Sequence, residues 1–147
     1  MARRRSTGFV TALCGSFGIK DILDGGVIDI FTGSQPASAD YVETGTKLVR
    51  LSSTSGIGAN DGLRFGTAAA GTLPRTTPAW SGVVVVAGVA GWFRFYGTGG
   101  TAGTSAVEKR FDGACGVSGA DLNLSYTSLV VDSVLTIPTF NITEPAE

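Results

Sequence analysis

Residues 76–93 carry no charge and include four consecutive valines, Val83 to Val86. They run directly into Trp92-Phe93-Arg94-Phe95-Tyr96 and then into the glycine turn Gly97-Thr98-Gly99-Gly100. A β-branched run, an aromatic cluster and a glycine turn in that order predict two adjacent strands that supply much of a β-domain's core. Strand alternation sets Phe93 and Phe95 on the core side. Trp92, Arg94 and Tyr96 then share the other side, where a packing layer or a partner would lie.

The same punctuation recurs along the chain, which holds 22 glycines in 147 residues. Asp24-Gly25-Gly26 is a turn before a strand at 27–31, and a second strand is expected at 46–53. Further strands are expected at 62–66, 81–87, 91–96 and 106–112, and in a last pair within 126–142, with turns at 97–105 and 113–119. Residues 73–79 contain Pro74 and Pro78 and are expected outside any sheet, while Pro138 within the final strand marks an edge or a bulge, and such an edge could extend a partner's sheet. Seven or eight short strands define an all-β, single-domain antiparallel sandwich or barrel over residues 20–147. Residues 1–19 would form an N-terminal arm or short helix, with Ser6 as cap and Phe9, Leu13 and Phe17 on one helical face.

Charge narrows the possible functions. Arg3, Arg4 and Arg5 are three of the 11 basic residues, leaving eight against 12 acidic ones in the body. A mildly acidic body with a three-arginine arm is a poor nucleic-acid binder, so no specific nucleic-acid partner is expected. There is no histidine to act as general base or metal ligand, and no GxSxG elbow. Cys14 and Cys115 form no CxxC pair and read as two small buried thiols, a disulfide between them being the alternative. Asp21, Asp24 and Asp29, and later Asp112, Asp121 and Asp132, read as turn aspartates that cap their own backbone, since no loop spaces its oxygens as a calcium hand does. The glycine clusters at 15–20, 56–62 and 97–103 lack the lysine-serine/threonine of a phosphate loop, and the third is expected to be a hairpin. The apolar stretch behind the arginines is too short and broken for a signal peptide, and the best membrane candidate, 79–93, contains three glycines. The expectation is a protein with no catalytic residue, cofactor, metal, membrane partner or small-molecule substrate. Trp92 and Tyr96 could alternatively stack on a sugar.

A resemblance gives this reading a context. Ile28-Asp29-Ile30-Phe31, then Thr32-Gly33-Ser34-Gln35-Pro36-Ala37-Ser38-Ala39-Asp40, then Gly45-Thr46-Lys47-Leu48 resembles a small structural protein family of tailed bacteriophages and prophages. Trp80-Ser81-Gly82 followed by 87–94, and the block 113–124 ending Gly119-Ala120-Asp121-Leu122-Asn123-Leu124, resemble later motifs of that family in the same order. The likeness extends over residues 20–142. It implies a virion protein assembled in a bacterial cytoplasm, a cement or decoration protein or else a tail or head–tail connector component. Its partners would be the phage major capsid protein and copies of itself. On this reading Arg3, Arg4 and Arg5 form an arm ordered by assembly, and with Trp92 and Tyr96 they are the expected partner contacts.

Overall fold

The computed structural model describes residues 3–54, 61–76 and 79–144. In chain order the elements are β1 (Arg4–Arg5), α1 (Thr7–Cys14), α2 (Ile19–Leu23), β2 (Val27–Thr32), β3 (Lys47–Leu51), β4 (Thr72–Pro74) and β5 (Trp80–Val83). Then come β6 (Gly88–Tyr96), β7 (Arg110–Gly116), β8 (Leu122–Asn123), β9 (Ser128–Leu129), β10 (Val134–Ile137) and β11 (Asn141–Thr143). The protein is all-β with two short helices, as its turn punctuation implies. The main sheet runs β1-β7-β6-β2-β3 and is antiparallel throughout. Short β8 joins β7 in parallel and β9 joins the start of β6. Two ribbons, β5–β10 and β4–β11, form the second layer.

The core between the layers is aromatic. Phe93 and Phe95 from β6 meet Trp80, Phe65 and Phe140 from the second layer, with Phe65 edge-on to Trp80 at 5.2 Å and Phe93 edge-on to Phe140 at 6.1 Å. These rings are buried, as alternation in β6 requires. Helix α1 closes one end. Ser6 caps it by accepting from the Phe9 N–H at 3.1 Å, and Phe9 packs on Phe111. The helix stops at Cys14, so Phe17 falls outside it and is exposed. Cys14 and Cys115 are free thiols, but only Cys115 is partly covered: Cys14, at the last position of α1, is exposed rather than buried.

Several sequence expectations are corrected. Strands β5 and β6 are not neighbours: β5 pairs with β10, while β6 pairs with β2 and β7. The cause lies at Gly82, where a Cβ would stand 1.9 Å from the Arg50 carbonyl oxygen, so β5 lies against β3 through a backbone approach only glycine allows. Of the valine run, only Val84 is fully buried, and Val85 and Val86 are exposed. Residues 72–74 do form a strand, because Pro74 ends an outer ribbon and supplies only its carbonyl, which accepts from Gly66. Residues 62–66 contribute one bridge, Phe65 to Arg75, rather than a strand. Residues 106–109 belong to the loop, and β7 continues through 113–116 instead of turning there. Pro138 sits between β10 and β11 and in neither. The 97–109 connection does join the antiparallel pair β6–β7 as a hairpin. Most of the cluster 56–62 lies outside the described residues.

Candidate functional site: a buried charge ladder and an exposed valine end

The five expected contact residues are all engaged within the chain. Arg4–Arg5 is not a free arm: it pairs with Asp112 and Phe111 of β7. Alternation then sends the arginines to opposite faces. Arg4 donates to the Pro36 carbonyl, whereas Arg5 pairs with Glu144 and lies over the Phe9 ring. Arg3 donates to the Thr143 carbonyl at 3.1 Å and lies 3.9 Å from Asp121. The acidic partners come from the far end of the sequence, which is why sequence proximity gave no hint of them.

Trp92 and Tyr96 are likewise buried, at 0% and 2% exposure. Trp92 stacks on Phe31 at 4.6 Å and donates its indole N–H to the Thr44 carbonyl. They share their face of β6 with Arg94, and that face is covered by the 33–46 and 97–109 loops. Neither ring offers a free face to a sugar.

Beneath those loops lies a feature that spans the sheet. Arg50, Asp29, Arg94, Asp112 and Arg4 are opposite one another in register across β3, β2, β6, β7 and β1, alternating in charge. Arg94 donates to both Asp112 oxygens at 2.7 and 2.8 Å, and both residues are fully buried. Arg50 grips Asp29 the same way, at 2.7 and 2.8 Å, with Lys47 at 3.7 Å. Glu43 clamps the loops down by accepting from Arg94, from the Tyr96 hydroxyl and from the Gly103 N–H. Arg110, also buried, reaches the Ala39 and Thr101 carbonyls and lies over the Tyr96 ring.

Such bidentate pairs specify more than they stabilise. A buried ion pair roughly offsets its own desolvation, but a one-residue slip of β6 would drive Arg94 into the aromatic core. The electrostatics follow from burial and pairing. Burial lifts the Asp112 carboxyl above its ordinary value despite the Arg94 bonds. Burial also pushes Glu43 up, but its hydrogen bonds, the one from Gly103 foremost, outweigh this and hold it below the ordinary value. Burial, with Glu43 beside it, pushes the Tyr96 phenol far above its usual range. These carboxylates are occupied by internal donors, and the arrangement fixes register and loops. The turn-cap expectation therefore fails for Asp29 and Asp112, which are buried strand residues held by arginines. Of the others, Asp21 caps its own turn by accepting from Gly18, Asp121 accepts from Ala114, and Asp24 accepts from Phe65, far away in sequence. Among the described residues no three His, Cys, Asp or Glu side chains gather as a metal set, and no helix is long and apolar enough to cross a membrane. The ladder was present in the sequence as a single charge at the centre of two apolar runs, VIDIF and WFRFY, and as Asp112 beside Phe111 in RFDG.

The surface carries one feature the sequence reading did not isolate. Val85, Val86, Val89, Val130, Val131 and Val134 are all between 40% and 64% exposed. Their backbones converge at one end of the molecule. Val84 bonds to Ser133 and Asp132, Val89 is opposite Ser128, and Val134 is opposite Val83. Six exposed valines on two abutting segments reach roughly the few hundred Å² at which a contiguous apolar patch marks a contact surface. No protein-family model, curated protein or solved structure matches the chain.

Proposed function

We propose that the chain is a structural protein of a bacteriophage virion, a cement or decoration protein that stabilises the head by bridging coat-protein subunits. The observation that carries the assembly role is the valine end. An apolar surface of this size on a rigid β-body is costly to leave in water, and assembly covers it. The phage context comes from the resemblance of residues 28–48, 80–94 and 113–124. The register-locked sheet suits the role, because a protein used in many copies must present the same surface in each.

The test is addition of the purified chain to head particles that lack it, followed by co-sedimentation and heat challenge. Saturable binding with a raised capsid disruption temperature supports the reading. Binding that never saturates, or saturation without any gain in capsid stability, removes the cement role. Binding confined to isolated tails or connectors would move the protein to that part of the virion.

A further inference from the structure

We infer that copies of this chain associate head to tail, the valine end of one copy seating in a groove at the opposite end of the next. The groove is about 380 Å³ and lies between α1 and the 106–109 loop, lined by Gly8, Ala12, Gly15, Phe17, Ala106 and Val107. It exists because Gly8 lets the helix lie against the loop backbone: a Cβ there would stand 2.2 Å from the Val107 oxygen. Phe17 and Val107 are 48% and 80% exposed, so the groove is apolar and uncovered.

The two surfaces lie at opposite ends of β6. Val89 begins that strand at the valine end, while Tyr96 at its other end pairs with Arg110, next to the groove residue Lys109. Seven strand steps separate Val89 from Tyr96, about 23 Å. Charge complements shape. The Lys109 ammonium sits 4.9 Å from the Phe17 ring centre on the groove side, and Asp132 stands exposed between Val131 and Ser133 at the valine end. A valine ridge with an acidic residue thus faces a cavity with a basic one. Like-with-like pairing of two valine ends would bring two Asp132 carboxylates together. One surface meeting a different one is a heterologous contact, which repeats into a ring or a row instead of stopping at a dimer. The buried patch is small, so affinity in solution is low, about 10⁻⁴ M, and association is read in a concentration series that reaches about 10⁻³ M.

This inference rests on the reading of the chain as an assembly protein, yet its test uses the purified chain alone and can fail while capsid binding stands. Val130→Asp spoils the ridge and Val107→Asp spoils the groove, both at exposed positions, with circular dichroism confirming that each folds. Sedimentation velocity over a concentration series reads association. The wild type is expected to form open-ended or ring oligomers and each variant alone to remain monomeric. An equimolar mixture of the two is expected to form a 1:1 dimer, because each variant retains the surface the other lacks. A monomeric wild type throughout the series overturns the proposal. So does a Val107→Asp protein that still dimerises, which would show valine ends pairing with each other, or a mixture that stays monomeric while the wild type associates.

Discussion

Replacing Arg94 by methionine keeps most of the side-chain volume and removes the centre of the charge ladder. Four hydrogen bonds disappear: two to Asp112 at 2.7 and 2.8 Å, one to Glu43 at 2.8 Å and one to the Tyr41 carbonyl at 2.9 Å. Asp112 remains fully buried and loses its counter-ion, and a buried charge deprived of its partner costs about 3–5 kcal/mol. The loss depends on pH. In the folded protein burial already raises the Asp112 carboxyl above its ordinary value, so its share of stability is complete below the ordinary aspartate range and lost as pH rises through the folded value. Without Arg94 that folded value climbs further. The variant's deficit should therefore be largest at pH 7 and shrink toward pH 4, where Asp112 takes up a proton. Glu43 behaves oppositely, since its lowered carboxyl contributes stability that is present at pH 7 and lost in acid. Losing Arg94 weakens that contribution only where it exists, so the Glu43 share of the variant's deficit also shrinks in acid. Urea unfolding at both pH values reads the effect, and Arg94→Met/Asp112→Leu closes the cycle with a coupling of about 2 kcal/mol. A loss below about 1 kcal/mol at pH 7, or a deficit that grows in acid, would refute the account of this network.

Three further outcomes are expected. Phe95→Ala opens the aromatic core between Phe65 and Trp80 and should cost about 3–5 kcal/mol in chemical denaturation; an unchanged midpoint would sink the packing assignment. Gly82→Ala should lower the melting temperature sharply, because its Cβ meets the Arg50 backbone oxygen at 1.9 Å, whereas Gly33→Ser, with open space around its Cβ but a φ of 78°, should cost only about 1 kcal/mol. Deleting residues 2–5 removes β1 and the Arg5–Glu144 pair and should cost about 1–2 kcal/mol; an unaltered thermal midpoint would restore the free-arm view.

The sequence announced the class of fold well because turn chemistry is local. Asp24-Gly25-Gly26 and the 97–103 glycines act within a few residues, and β2 and β6 beside them appear where expected, whereas β7 starts at Arg110 and runs through the turn expected from 113. Strand partnership was less legible, because it depends on contacts distant in sequence. The valine run suggested that β5 would lie beside β6, yet a single glycine at 82 sends β5 against β3. The contact residues misled for a related reason. Trp92, Arg94 and Tyr96 lie opposite the core phenylalanines as alternation requires, but nothing local reveals that the 33–46 and 97–109 loops fold over them. The triple arginine seemed unpartnered because Asp121, Thr143 and Glu144 lie more than a hundred residues away. The valine end became visible only once 84–89 and 128–134 were side by side.

The central claim, that this is a virion structural protein present in many copies, is tested most directly by counting it. Particles purified by density gradient from a lysate of the cells that make the chain can be digested and quantified by mass spectrometry against isotope-labelled peptides of this chain and of the coat protein. The account predicts a copy number within a few-fold of the coat protein. A chain absent from purified particles, though abundant in the lysate, would contradict it.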